Sequence, residues 1–201
     1  MEQLLDIKLQ TPLRVYSADD KLIAEFGEKR RAPVTIEQIP TIQLHAFMAA
    51  EDARFYEHFG VDFKGLMRAA IELISTGEIQ SGGSTITMQV AKNYFLSRDR
   101  TFIRKFNEIL LALQIERELD KNRIMELYLN KIYLGNRAYG IAAAAQVYYD
   151  KPVTELSLAE MAMLAGLPKA PSAYNPLANP ERAQIRRNWI LGRMRDLQYI
   201  T

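Results

Sequence analysis

The sequence lacks cysteine and contains only two histidines, His45 and His58. The absence of cysteine excludes a disulfide framework, a thiolate metal site and a cysteine nucleophile. Two imidazoles are too few for a histidine-rich metal site. The lack of cysteine does not identify a cellular compartment, because many periplasmic proteins also lack it.

Long apolar runs are missing as well. No run reaches the roughly 18 apolar residues that a membrane-spanning helix needs. The opening Met1-Glu2-Gln3 is acidic, unlike the basic start of a signal peptide. The formal net charge is only +2, which gives no indication of a nucleic-acid partner. With 201 residues, 48% of them hydrophobic, the chain is expected to form one globular domain over 1–201, or a main lobe with a small subdomain.

The hydrophobic pattern predicts a mainly α-helical protein with a small β appendage. Within an extended N-terminal segment, residues 1–40, two apolar stretches flank the turn-forming residues 17–20, which predicts a β-hairpin. Beyond Pro40 the apolar spacing is helical. Helices are expected at 42–57, 63–75, 84–95, 101–119, 121–130, 140–149, 157–165 and from 180 onwards.

Capping residues indicate where several of these helices begin and end. Ser84 or Thr85 is expected to cap the helix that follows it, and Asn179 with Pro180 is a typical helix start. Gly60 suits a left-handed cap and is expected to close the helix that begins near residue 42.

The first candidate for chemistry is the acid pair Glu51-Asp52, followed by the aromatic-rich residues 55–60, which include His58. A carboxylate that is partly desolvated among aromatic side chains gains basicity, which suits a general base near neutral pH. The alternative is a solvated acid pair at a helix end, with His58 packed as a capping group. The segment alone leaves both interpretations open.

The second candidate is the glycine-containing segment from Ser81 to Gln89, which leads into a helix. Backbone N–H groups at a helix N-terminus form an anion site that suits a phosphate. The segment is not a P-loop, because the Gly-Lys-Ser/Thr ending is missing. A plain flexible loop before a capped helix explains the same residues.

The third candidate is a basic run that precedes Glu108 on the helix expected at 101–119. Arg104 and Lys105 share a helix face with Glu108 at i,i+4 and i,i+3 spacing. Surface ion pairing is one explanation. The other is a cationic clamp for a leaving pyrophosphate beside a second carboxylate. The cations of this region are Lys92, Arg98, Arg100, Arg104 and Lys105.

The fourth candidate, residues 121–130, is typical of a buried helix. Ile124, Leu127 and Tyr128 fit an apolar stripe, and Glu126 faces elsewhere as a structural acid.

Taken together and in this order, these segments resemble the peptidoglycan glycosyltransferase family, which forms the polymerase half of class A penicillin-binding proteins and the monofunctional transglycosylases. Five blocks over roughly 12–199 carry the resemblance: Glu51-Asp to His58-Phe-Gly60, Gly83 to Gln89, Arg104-Lys-Phe-Asn-Glu108, Lys121 to Asn130, and Arg186 to Leu191. Residues 15–19 and 27–31 look like the class A branch. One departure is Met88, which stands where the family usually has glutamine and is expected to pack inward.

The resemblance implies a lysozyme-like helical fold and a defined reaction. The substrate would be lipid II, a disaccharide-peptide joined through pyrophosphate to a polyprenyl chain. Glu51 would be the general base that activates the 4-hydroxyl of the acceptor, and Glu108 the second essential carboxylate. The product would be a β-1,4-linked glycan formed with inversion. The substrate- or pyrophosphate-binding residues would be Lys92 and Arg100, ranked first, with Arg104, Lys105, Ser84, Gln89, Asp52, His58 and Asn130.

The role of Glu108 is left open by the resemblance. It either orients the cations, holds a divalent cation such as Mg²⁺ or Mn²⁺, or assists protonation of the leaving group. No cofactor is expected to be required, and no other metal ligand is proposed.

The resemblance also implies a membrane setting. Residues 63–83 would form a membrane-associating subdomain with a mobile loop, although composition alone favours ordinary core packing for the apolar residues. No Ser-x-x-Lys is present, so a penicillin-binding transpeptidase site is absent from these residues. The implied setting is a domain without its transmembrane anchor and transpeptidase, on the periplasmic face of the inner membrane. Expected partners are the growing glycan, the membrane surface, moenomycin-type inhibitors and cell-wall regulators of the parent protein.

Two other functions compete with polymerisation. A lysozyme-like lytic glycosidase would use one glutamate as a general acid. An inactive glycan- or lipid-binding module would need neither glutamate. The basic run favours the transferase, because hydrolysis of a neutral glycosidic bond leaves no pyrophosphate to bind.

Overall fold

The structure is a computed structural model that describes residues 13–19, 22–26, 32–67, 75, 83–96 and 101–201. Over these residues the protein is mainly α-helical, as the hydrophobic pattern predicted. Arg98, Arg100 and most of the segment predicted to associate with the membrane lie outside the described residues.

Two short strands, β1 (Leu13–Tyr16) and β2 (Leu22–Phe26), pair antiparallel near the N-terminus. Their register places Leu13 opposite Phe26, and it shifts between Val15 and Tyr16. The turn-forming residues 17–19 lie between them.

Seven α-helices follow within the described residues. They are α1 (Thr41–Glu51), α2 (Ile86–Phe95), α3 (Phe102–Glu118), α4 (Lys121–Lys131), α5 (Ile141–Tyr149), α6 (Leu158–Gly166) and α7 (Pro180–Asp196). Short 3-10 helices lie at Ile36–Gln38, Val153–Glu155 and Leu167–Lys169. Residues 63–67 are also helical.

The helix starts follow the capping chemistry of the sequence. The Thr85 hydroxyl accepts from the Met88 N–H at the start of α2, and Asp120 accepts from the Arg123 N–H at the start of α4. Pro180 occupies the first turn of α7, as predicted. Asn179 lies at the cap position, but its side chain donates to the Ser172 carbonyl instead of capping the helix.

Two sets of packed helices carry the candidate residues. Helix α1 packs against α6 and α7, while α2 packs against α3 and α4. Phe47 of α1 and Tyr128 of α4 are fully buried and meet edge to face, with ring centroids 6.0 Å apart. Burying a side chain of this size stabilises the fold by roughly 1.5–3 kcal/mol. This buried contact fastens α1 to α4, on which α2 also packs.

The helix predicted for 42–57 is shorter in the structure and ends at Glu51. Asp52 leaves the helical conformation, and its carboxylate accepts from the Ile86 N–H at the start of α2. Gly60, expected to cap that helix, lies instead in the following loop at φ +79°, where an added β-carbon would lie 3.0 Å from the Ala112 carbonyl oxygen. A tertiary hydrogen bond therefore ends α1 earlier than its apolar spacing indicates.

Helix α3 has the predicted bounds to within a residue, but its apolar face is not all buried. Phe102 is 97% exposed, and Ile103 and Phe106 are also exposed, whereas Ala112 and Ile115 are buried. In the described part of the chain, no helix is both long and apolar enough to cross a bilayer.

Candidate active site

Glu51 is the last residue of α1 and is partly buried. Its Oε2 accepts a hydrogen bond of 2.9 Å from Nε2 of Gln89, which projects from α2. Burial raises the pKa of Glu51 above its ordinary value, and the Gln89 hydrogen bond opposes that rise. Glu51 is therefore a carboxylate of increased basicity, held in place by a neutral donor.

Three cations act on Glu51 from three different elements. Arg186 of α7, Lys92 of α2 and Lys169 after α6 each lower its pKa through their charge. Lys92 and Lys169 are exposed, whereas Arg186 is buried. The partly desolvated carboxylate therefore lies in a positive electrostatic environment that these three cations create.

Glu108 forms a second centre with a different character. It is 2% exposed, and each carboxylate oxygen accepts from a cation, Arg104 Nη1 at 2.9 Å and Lys105 Nζ at 2.7 Å. Lys105 also donates to the Ser84 hydroxyl over 2.8 Å. The i,i+3 and i,i+4 pairing predicted from the sequence is confirmed, but Glu108 is buried and does not lie on a solvated face.

Helix α2 connects the two centres. Ser84 lies just before its capped N-terminus and contacts the Glu108 centre, while Gln89 lies one turn further and contacts Glu51. Met88 packs inward against Val61 and Ala112, as expected from its spacing. The loss of the family's usual glutamine at Met88 therefore leaves the Gln89 contact intact.

Asp52 and His58 are joined to each other and to the start of α2. His58 Nε2 lies 3.0 Å from Asp52 Oδ2, and the same oxygen accepts from the Ile86 N–H at 3.0 Å. Asp52 is buried, and Nδ1 of His58 is buried without a partner among the described residues. These contacts anchor the loop after Glu51.

Asn130 makes hydrogen bonds away from the other candidates. Its Nδ2 donates to the Val34 carbonyl and its Oδ1 accepts from the Val34 N–H, at 2.7 and 2.9 Å. The side chain is buried and fastens the segment before α1 to the end of α4. These contacts give Asn130 a structural role.

Sequence reasoning gave no role to Arg186, Lys169 or Glu116. Buried Glu116 accepts from the Thr87 hydroxyl and from Lys121, which lies over the Phe55 ring. Arg186 and Trp189 are three residues apart on one helix face, a spacing that could have predicted an arginine stacked on the tryptophan ring. Lys169 gave no comparable signal, because only tertiary folding brings it near Glu51.

Among the residues described, no three His, Asp or Glu side chains gather into a potential metal site. Both oxygens of Glu108 already accept from cations.

Known proteins match this chain over nearly its whole length. A family model described as transglycosylase matches residues 19–195. Penicillin-binding protein 1A of Pseudomonas aeruginosa is 66% identical over 200 residues, covering 100% of this chain and 24% of its own length. The Escherichia coli K12 protein of the same name is 58% identical, covering 98% of this chain and 23% of its own length.

A solved structure with the same protein name also matches this chain. Penicillin-binding protein 1A from Haemophilus influenzae is 35% identical with a TM-score of 0.53, covering 97% of this chain and 19% of that one. The chain spans about a quarter of the length of the curated relatives it matches. The chain therefore belongs to the transglycosylase family, the peptidoglycan glycosyltransferases that the order of its sequence blocks predicted.

Proposed function

We propose that this domain polymerises lipid II into β-1,4-linked glycan strands. The observation that carries the proposal is the contrast between its two glutamates. Glu51 is a carboxylate of raised pKa held by a neutral amide, whereas Glu108 is fully engaged with two cations. One suits a general base, and the other suits the organisation of an anion-binding site.

In the proposed reaction, ionised Glu51 accepts the proton of the 4-hydroxyl on the acceptor sugar. The oxygen attacks the anomeric carbon of the donor, and a new carbon–oxygen bond forms as the bond to pyrophosphate breaks. The electron pair of the broken bond leaves with polyprenyl pyrophosphate. Attack opposite the leaving group inverts an α-linked donor to a β linkage, so the base and the anion site must lie on opposite sides of the reacting carbon.

The pyrophosphate is proposed to bind at the Lys105 side of the site. Lys105 is only partly buried, with 39% of its side chain exposed, and it is held between Glu108 and Ser84. Arg104 is held by the same carboxylate. Cations fixed in advance stabilise developing negative charge without reorganising during the reaction. Lys92 and Arg100 remain proposed phosphate contacts on family resemblance.

The contacts of Glu108 support one of its three possible roles. A carboxylate whose two oxygens each accept from a cation is suited to orienting those cations. Binding of Mg²⁺ or Mn²⁺ there would require these contacts to rearrange. We propose that Glu108 acts by positioning Arg104 and Lys105, and that polymerisation requires no cofactor.

Membrane association is proposed for the exposed apolar residues on both sides of Gly83-Ser84. Leu66 lies against Gly83, while Lys105 of α3 contacts Ser84. On one side, Phe63 and Met67 are 69% and 67% exposed, and on the other, Phe102 and Ile103 at the start of α3 are 97% and 74% exposed. An apolar surface with flanking basic residues suits insertion into a membrane interface without a spanning helix. The proposed setting is the periplasmic face of the inner membrane, where the lipid tail of the substrate stays in the bilayer.

The test is the fate of two substrates, labelled lipid II and preformed glycan, in detergent. Polymer from lipid II that a muramidase digests supports the proposal, with moenomycin-type compounds expected to inhibit it. Cleavage of preformed glycan without polymer formation would instead favour a lytic glycosidase. Binding without either reaction would favour a glycan- or lipid-binding module.

A further inference from the structure

Arg186 is a buried cation that forms no ion pair with any residue that the structure describes. It is 8% exposed, and among the described residues no carboxylate lies within ion-pair distance of its guanidinium. Its Nε is buried and has no hydrogen-bond partner in the same part of the chain. A buried charge that forms no ion pair is costly to a fold, so its presence calls for a reason other than stability.

The surroundings of Arg186 fix its position without neutralising it. Its guanidinium carbon lies 4.3 Å from the Trp189 ring centroid and 5.9 Å from that of Tyr174. The side-chain stem passes Gly166, where an added β-carbon would lie 3.0 Å from Arg186 Cγ. Two aromatic rings and a glycine contact therefore hold the guanidinium in one orientation.

The held guanidinium points to the end of α1. Its Nη2 donates to the Ala50 carbonyl over 3.5 Å, one residue before Glu51. The carbonyl end of a helix carries partial negative charge, which favours a cation there. Burial lowers the pKa of Arg186, and the charge of Glu51 opposes that effect.

We propose that Arg186 is a positioning residue that holds the end of α1 and maintains a fixed positive charge beside Glu51. This inference rests on the proposed function, in which Glu51 is the base. Its effect on the reaction is to keep Glu51 ionised although burial favours the protonated form. Other groups act on or near Glu51: Lys92 from α2, Lys169 after α6, Tyr128 from α4, and Asp52 beside it.

The experiment measures the pH dependence of lipid II polymerisation for the parent, Arg186→Met and Arg186→Lys. Arg187→Met is the matched control, because Arg187 is adjacent on α7 and hydrogen-bonds to Asn188. Loss of the Arg186 charge in Arg186→Met is expected to move the acidic limb of the pH–rate profile up by about 0.5–1 pH unit. Arg186→Lys keeps the charge and is expected to return the limb most of the way to the parent's position. Arg187→Met is expected to keep the parent's limb. A uniform loss of rate with an unmoved limb in Arg186→Met would overturn the inference.

A second readout needs no substrate. Trp189 is the only tryptophan in the sequence and stacks on Arg186, so its fluorescence reports on this cluster. When the pH of the parent is lowered, protonation of Glu51 is expected to change the Trp189 fluorescence with a midpoint at acidic pH. This change should be absent from Glu51→Gln, and its midpoint should lie at higher pH in Arg186→Met. An identical midpoint in the parent and Arg186→Met, or an unchanged transition in Glu51→Gln, would contradict the inference. Failure of the parent to polymerise lipid II, with the fluorescence shift present, would instead contradict the proposed function.

Discussion

The side-chain amide of Gln89 donates to Glu51 over 2.9 Å and joins the end of α1 to α2. This hydrogen bond favours the ionised carboxylate, whereas burial favours the protonated one. The position of Glu51 and its protonation state therefore both depend on Gln89.

Replacing Gln89 by alanine is expected to reduce polymerisation by about 10–100-fold, the range for losing a hydrogen bond to a charged group. The acidic limb of the pH profile should also move to higher pH, because a force that lowers the pKa of Glu51 is removed. Initial rates across pH check both effects. A rate loss of this size with an unmoved acidic limb would mean that Gln89 contacts substrate and does not act through Glu51.

Replacing Glu51 by glutamine is expected to raise the thermal stability of the domain near neutral pH. Folding raises the pKa of the Glu51 carboxyl, so the folded state is disfavoured once this carboxyl ionises. The stability that the protonated carboxyl contributes is therefore lost as pH rises through the folded-state pKa. Glutamine keeps an oxygen to accept from Gln89 without carrying a charge. Thermal unfolding of parent and variant should diverge as pH rises and converge in acid. A constant difference at every pH would contradict this account of Glu51.

Replacing Glu108 by glutamine is expected to destabilise the domain by about 2–4 kcal/mol, because one substitution leaves two cations without a charged partner. The matched control is Glu118→Gln, an exposed residue of the same helix, which should change stability by less than about 0.5 kcal/mol. Chemical denaturation measures both. Equal stability of the two variants would show that the contacts of Glu108 with Arg104 and Lys105 contribute little.

The sequence predicted most of the helices because each carries its own periodic stripe and several begin at a side-chain cap. Helix α3 and the start of α2 illustrate this, since Thr85 caps the latter as its position indicated. The end of α1 could not be predicted in this way. It depends on a hydrogen bond between Asp52 and Ile86, residues far apart in the chain.

The sequence predicted the contacts of the site that lie within one helix, but not those that depend on tertiary packing. Glu108 and its cations lie within one helix, so spacing was sufficient to pair them. Lys169 and Arg186 reach Glu51 only through tertiary packing, and no local pattern encodes that approach. The burial of Glu108 was also beyond the sequence pattern, because a charged helix segment ordinarily faces solvent.

Membrane association is expected to depend on the exposed start of α3. Replacing Phe102 and Ile103 by serine should weaken binding to anionic vesicles at least about tenfold, because two large apolar side chains are removed from the proposed interface. Replacing Leu177 and Ile185, which are 69% and 70% exposed elsewhere, is the matched control and should leave binding unchanged. Sedimentation with vesicles measures both pairs. Equal losses from the two pairs would mean that binding is not localised to α3.

The most direct test of the central claim is the rate of glycan formation from labelled lipid II by the parent and by Glu51→Gln, with folding of both verified by thermal unfolding. Polymer is expected from the parent, and a loss of at least about 100-fold is expected in the variant, which should be folded and no less stable. Polymerisation by Glu51→Gln at a rate close to that of the parent would contradict the assignment of Glu51 as the base.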